Sequence, residues 1–281
     1  MQFSFEFFPP RSSAGQSSLH SAIQQLQIWQ PSFASMTYGA GGTSQQESFA
    51  GTQQLVAQEL NTAAHITCVG ADRASVQATA KQFVAQGVEH LVALRGDSPV
   101  GAYVPHKQGY AFANDLVAGL REWFAGTISV AAYPEVHPQA ASGAKDLDFL
   151  KAKVDAGADQ IISQYCYDTD TLLAFAERLQ QADIKQPFLV GIMPIHDIVA
   201  VQRFSARCGA SVPKAIVERF AGLEQPADIA KLSIDIAAEQ CRLLLENGLD
   251  QFHFYTLNRS ALTAGVLASI QGPAVNLAMT A

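Results

Sequence analysis

Two hydrophobic periods alternate along the chain. Phe3-Ser4-Phe5-Glu6-Phe7 has period two, so the phenylalanines share one strand face and Ser4 and Glu6 the other. Pro9-Pro10 ends that strand. From Ser17 to Trp29, Leu19, Ile23 and Leu26 form a helical stripe. The same exchange of periods continues. Strands are predicted at 33–37, 64–68, 90–95, 128–132, 160–164, 188–192 and 252–255. Helices are predicted at 45–60, 75–86, 112–124, 145–156, 198–207, 213–220, 226–247 and 260–269, and Asp170 is read as the cap of one more, running to about Ala182. Asp197 can cap the helix that follows it, and Pro213 and Pro226 stand where first-turn prolines are tolerated. A long loop is expected from Ser98 to about Tyr110.

The run Leu91-Val92-Ala93-Leu94 is too short for a helix and apolar enough to be covered on both faces, as strands of parallel sheets are. One junction recurs: Gly87-Val88-Glu89, Gly157-Ala158-Asp159 and Gly248-Leu249-Asp250 each join a helix end to a strand start. Eight βα units in 281 residues give about 35 residues per unit, which suits an α/β fold of the (β/α)₈ TIM-barrel type, read as one domain over 1–281. An open doubly wound sheet would want a GxGxxG turn after the first strand, where Pro9-Pro10 stands instead.

In such a barrel the C-terminal strand tips surround one pocket. Here they carry Glu6, Thr37, His65 or Thr67, Arg95 with Asp97, Tyr133 with His137, Gln164, and Tyr255 with Arg259. Singly, each has a plain alternative. Glu6 could be a solvated strand end, His65 a satisfied core histidine, Tyr255 a plug, Arg259 a surface group and Gly41-Gly42 an ordinary turn; His253 reads as structural. Jointly they point to a reactive pocket, because charges at the tips of buried strands are costly unless they bind something.

The net charge of −7, with a pI near 5.4 and no Lys/Arg block, argues against a nucleic-acid surface. No apolar run reaches membrane-spanning length, and no signal peptide is read at the N-terminus. Cys68, Cys166, Cys208 and Cys241 are widely spaced, as expected of reduced thiols in a cytoplasmic protein. No metal is expected, because Ser4-Phe5-Glu6 lacks the paired histidines of barrel hydrolases and neither HxxxH nor CxxC occurs. The expected partners are small molecules and further copies of the chain in a homo-oligomer. A non-catalytic barrel that binds a partner stays open on the residues alone.

Six motifs carry a resemblance. Ser4-Phe5-Glu6-Phe7-Phe8-Pro9-Pro10, Thr37-Tyr38-Gly39-Ala40, His65-Ile66-Thr67-Cys68, Leu94-Arg95-Gly96-Asp97, Ala131-Ala132-Tyr133-Pro134-Glu135-Val136-His137-Pro138 and Phe252-His253-Phe254-Tyr255-Thr256-Leu257-Asn258-Arg259 occur in the order found in the methylenetetrahydrofolate reductase family. The chain resembles that family over nearly its whole length. The resemblance implies an FAD-binding catalytic barrel that passes electrons from NADH or NADPH through flavin to 5,10-methylenetetrahydrofolate, in ping-pong fashion, for methionine synthesis. It implies Glu6 as general acid and Asp97 as a carboxylate beside flavin and pterin. Tyr38, Ala40, His65, Arg95, Gly96, Ala113, Tyr133, His137, Asp146 and Lys153 fall where the family holds FAD. Thr37 and Gln164 match positions near the nicotinamide, and Gln164, Phe204, Tyr255 and Arg259 match positions near the folate. The chain departs from the pattern at Ala200, where many relatives have glutamine, at Phe112, commonly tyrosine, and in the 98–110 loop. The C-terminal regulatory domain of the larger eukaryotic enzymes is not expected.

Overall fold

Strict alternation in the first strand, β1 (Gln2–Phe7), sets the geometry of the barrel wall. Phe3, Phe5 and Phe7 turn outward and pack on Leu19, Ala22, Ile23 and Leu26 of the first helix, α1 (Ser13–Gln27). Ser4 and Glu6 therefore turn into the barrel. The computed structural model describes residues 1–10, 12–38, 45–98 and 103–272. After α1 come β2 (Ala34–Met36), α2 (Gln45–Ala57), β3 (Thr62–Thr67), α3 (Arg73–Ala85), β4 (His90–Leu94), α4 (Ala113–Arg121), β5 (Thr127–Ala132) and α5 (Gly143–Asp155). β6 (Gln160–Ser163), α6 (Thr169–Gln181), β7 (Phe188–Ile192), α7 (Ile198–Cys208), α8 (Lys214–Phe220), α9 (Pro226–Glu246), β8 (Gln251–Tyr255) and α10 (Ser260–Gln271) complete the order. Each strand pairs in parallel with the next, and β8 returns to β1, with Glu6 opposite Tyr255. This is the (β/α)₈ barrel expected from the sequence.

The three recurring αβ junctions are built as the sequence suggests. Gly87, Gly157 and Gly248 have φ of 97°, 113° and 81°, the left-handed region open to glycine. Several boundaries shift by a few residues, and two helix starts show why. α1 starts at Ser13, not Ser17, because Ser12 caps it by accepting the Gly15 N–H at 3.1 Å; its first turn is polar, so hydrophobic periodicity gives no sign of it. The cap of α6 is Asp168, not Asp170, and it also accepts the Thr171 hydroxyl at 2.7 Å.

The barrel interior is apolar around Phe33, Ala63, Val92, Ile162 and Leu189. Polar side chains thread it. His90 Nε2 lies 2.7 Å from Ser129 Oγ, and His253 Nδ1 lies 2.6 Å from Ser4 Oγ. Phe33 separates the two imidazoles, stacked on His253 at 5.7 Å and edge-on to His90 at 4.4 Å. At the other end of the barrel, Arg121 donates to the carbonyls of Gly157, Phe124 and Gly126 and pairs with Asp159, which accepts the Ile128 N–H. That clasp ties α4 to the starts of β5 and β6.

Candidate active site

Two adjoining cavities open at the C-terminal strand tips. The smaller, about 200 Å³, sits directly over the barrel interior and is lined by Glu6, Thr37, His65, Gln164, Tyr165, Phe204 and Tyr255, among others. The larger, about 640 Å³, runs outward over β4 and β5 and is lined by Arg95, Gly96, Asp97, Ala113, Tyr133, His137, Asp146 and Lys153, among others. Leu94, Ala131 and Tyr133 belong to both walls.

Glu6 is the buried acid of the small cavity, 7% exposed. Its Oε2 lies 3.5 Å from His65 Nε2 and 3.6 Å from His253 Nε2. Neither imidazole nitrogen has a hydrogen-bond partner. Burial, outweighing the pull of Glu6, lowers the pKa of His65. The Glu6 carboxyl group therefore faces a neutral His65 imidazole at neutral pH. The backbone around it is fixed from β8: Thr256 Oγ1 donates to the Glu6 carbonyl at 2.6 Å, and Asn258 pairs with both backbone groups of Phe8 at 2.9 Å.

The rest of the small cavity is aromatic and aimed. Tyr255 donates to the Ser163 carbonyl at 2.8 Å, and burial, with Glu6 adding to it, raises its pKa far above the ordinary phenol value. Tyr165 is stacked by Phe204 at 6.1 Å and 17°, and its hydroxyl lies 3.0 Å from Ser205 Oγ. Phe204, on α7, thus stands over the opening. Thr37 is 3% exposed, and its hydroxyl oxygen has no partner. A buried polar atom with none calls for a ligand group.

The large cavity is the basic one. Lys153, partly buried, donates to the Ala131 carbonyl, and burial pushes its pKa down to about 8, with Asp146 countering. Asp146 accepts the His137 backbone N–H at 2.9 Å, and His137 packs edge-on against Tyr133 at 4.6 Å. Arg95 donates to the side chain of Gln139 and lies over Tyr103 at 4.5 Å. Gly96, at φ 83°, has no room for a side chain: a Cβ would stand 2.5 Å from Val69. A cavity of this size, with Arg95, Lys153 and His137 in its wall beside Asp97 and Asp146 and with the start of α4 at its side, suits a dinucleotide with an anionic centre.

Three residues expected at the site stand differently. Tyr38 turns away, edge-on to Phe83 and bonded to Thr79, because its ring completes the core under α3. Arg259 is exposed at the start of α10 and lines neither cavity. Asp97 lines the large cavity, but its carboxylate is fully exposed, 3.9 Å from Arg95. Ala40 lies outside the described residues. Conversely, Tyr103, Gln139, Phe149 and Tyr165 line the cavities although the sequence did not single them out. For Tyr165, its place just after the Gln164 strand tip was an available signal.

Comparisons with known proteins point to one family. The family model described as Methylenetetrahydrofolate reductase matches residues 1–271. The 5,10-methylenetetrahydrofolate reductases of Salmonella typhimurium and Escherichia coli are each 37% identical over 265 residues, covering 94% of this chain and 88% of theirs. Methylenetetrahydrofolate reductase (NADH) 1 of Zea mays is 33% identical, covering 95% of this chain and 48% of its own. Among solved structures, an uncharacterized Clostridium thermocellum protein that binds two copies of 5-methyl-5,6,7,8-tetrahydrofolic acid superimposes with a TM-score of 0.64 at 12% identity, covering 95% of this chain and 93% of that one. At that identity the likeness speaks for the barrel alone. By family model and relatives, this chain belongs to the methylenetetrahydrofolate reductase family of oxidoreductases.

Proposed function

We propose that this chain is a flavoprotein that reduces 5,10-methylenetetrahydrofolate to 5-methyltetrahydrofolate by ping-pong use of one small cavity. NADH or NADPH and the folate enter that cavity in turn, FAD occupies the large one, and the product feeds methyl-group supply for methionine synthesis. The observation that carries this reading is the shared wall of Leu94, Ala131 and Tyr133. It places the floor of a large basic cavity beside a small one that holds a buried acid.

FAD, when bound, would supply hydride-transfer chemistry between the nicotinamide and the folate. The chain's own groups do the rest. Lys153 and Arg95 balance the diphosphate, and His137, kept neutral by burial, donates a hydrogen bond to it. Phe204 and Tyr165 offer a flat aromatic surface to the pterin, and Gln164 an amide to its polar edge. Opening the methylene bridge leaves a cation at N5 and an amine at N10 that must gain a proton; Glu6 delivers that proton, directly or through water. Asp97, at the β4 tip, balances the N5 cation once substrate reaches it. Arg259, outside both cavities, would pair with a carboxylate on the folate tail.

The cation on Lys153 is the form that attracts the diphosphate. Its pKa of about 8 means that charge is lost as pH rises. FAD affinity should therefore fall on the alkaline side of that value, where a bound anion shifts the midpoint upward. The loss should approach that of one charge-assisted pair, about 1.5–3 kcal/mol or roughly 10–100-fold. Lys153→Met should bind FAD more weakly at neutral pH and lose the pH dependence. Fluorescence titration of FAD across pH checks both; a pH profile shared by wild type and variant would assign the titration to another group.

Reconstitution tests the whole reading. Flavin-stripped protein given NADH and methylenetetrahydrofolate should make no methyltetrahydrofolate, and added FAD should restore it. Full turnover without flavin would favour a flavin-independent pterin enzyme.

A further inference from the structure

Helix α7 carries the Phe204 ring that lines the small cavity, yet little apolar burial holds that helix down. Of its eleven residues only Val201 and Ser205 are buried, and Phe204 is 41% exposed. Its position therefore depends on polar ties at its two ends. Asp197 caps the start, accepting the Ala200 N–H at 2.9 Å. The end is tied from a different loop. Glu135, in the turn after β5, accepts the Ser211 backbone N–H with both carboxylate oxygens, at 3.2 and 3.0 Å, and also accepts the Ser211 hydroxyl. Beside that tie, Gly209 closes α7 at φ 73°, and a Cβ on it would stand 2.2 Å from Pro138. The end of α7 thus rests directly on the 135–138 turn. Val136, between the two contacts, is held at φ 74°. A β-branched residue adopts that conformation only where its surroundings impose it. Here they are the Glu135 tie on one side and, on the other, the Asp146 carboxylate that accepts the His137 N–H.

We propose that Glu135 is a positioning residue: through Ser211 it latches the end of α7, so that Phe204 stays stacked on Tyr165 over the small cavity and the folate binds against a ring already in place. The inference rests on the reading of the small cavity as the folate site. Glu135 lines neither cavity, so its effect reaches the ligand through α7. A ring ordered before the ligand arrives need not be ordered by it, and the saving is gained as affinity.

The test is steady-state kinetics of the FAD-loaded full chain. Glu135→Ala should raise the KM for methylenetetrahydrofolate about threefold to tenfold, the worth of a hydrogen bond lost at the helix end, with the maximal rate and FAD affinity near native. Ser211→Ala, which keeps the backbone N–H, should raise it less. Glu135→Gln, which can still accept one of the two Ser211 groups, should recover part of the loss. A residue that only supports the barrel would lower the thermal midpoint and leave the KM alone. Dependence on Phe204 separates the two roles: in a Phe204→Ala background, Glu135→Ala should raise the KM no further. Should Glu135→Ala fail to fold, Ser211→Ala carries the same comparison. A native KM in the Glu135 and Ser211 variants, or an increment of equal size with and without the Phe204 ring, overturns the latch while the folate reading stands. A native folate KM in Phe204→Ala alone overturns the reading of the small cavity and the latch with it.

Discussion

Glu6→Gln should leave the reduction of bound flavin by NADH near its native rate and slow reoxidation by methylenetetrahydrofolate about 10²–10⁴-fold, the usual contribution of a general acid. The substitution is nearly isosteric. Glu6 packs in no apolar cluster; the β1 phenylalanines on the opposite face hold the strand against α1. The Thr256 bond to residue 6 is made to its backbone carbonyl, so it survives the change. What is lost is the ionisable carboxyl group facing His65 and His253. Hydride transfer from nicotinamide requires no proton at an amine, whereas cleavage of the methylene bridge does. Asp97, the other carboxylate assigned to the chemistry, points to solvent beside Arg95 and is poorly placed to substitute. Stopped-flow traces of the two half-reactions would separate them. Normal reoxidation in Glu6→Gln would remove Glu6 from the proton step, and equal slowing of both halves would make it a structural residue.

Gly191→Ala should damage the small cavity and spare the large one. Gly191 is opposite His253 in the β7–β8 register and faces the barrel interior. A Cβ there would lie 2.3 Å from the Ser163 carbonyl oxygen and 2.7 Å from Tyr255. A backbone oxygen cannot step aside, so Tyr255 must move and its bond to that carbonyl breaks. Overpacking costs about 1–3 kcal/mol and the hydrogen bond about 0.5–1.5 kcal/mol, so a loss of roughly 2–4 kcal/mol is expected in stability. Folate affinity should fall with it, because Tyr255 lines that cavity. FAD affinity should hold, because none of these atoms lines the large one. Tyr255→Phe, which removes only the hydroxyl, repeats the test without strain in β7. Equal losses of FAD and folate binding in Tyr255→Phe would contradict the division into two cavities.

Much of this was legible because strand periodicity and glycine junctions are local. The alternation in β1 fixes which way Glu6 points, and the repeated Gly-apolar-acid junction fixes the βα repeat. Features set by tertiary packing were not legible. Three charged or aromatic residues expected at the site, Tyr38, Asp97 and Arg259, lie at or just past strand ends, where alternation stops dictating direction. Their orientation follows from neighbours: Phe83 and Thr79 draw Tyr38 into the core, whereas Arg95 lies against Tyr103 and leaves Asp97 in water. Phe149 falls inside a predicted helix, and only the fold shows that it lines a cavity. Likewise, Asn258 reads as part of a motif, while its pairing with Phe8 across 250 residues is visible only in three dimensions.

The central claim is that one flavin in the large cavity exchanges electrons with two ligands that take turns in the small one. Visible absorbance of the purified, FAD-loaded protein under anaerobic conditions tests it most directly. NADH alone should bleach the flavin band, and methylenetetrahydrofolate added afterwards should restore it, with one methyltetrahydrofolate formed per flavin. A flavin that NADH bleaches but methylenetetrahydrofolate leaves reduced would contradict the account.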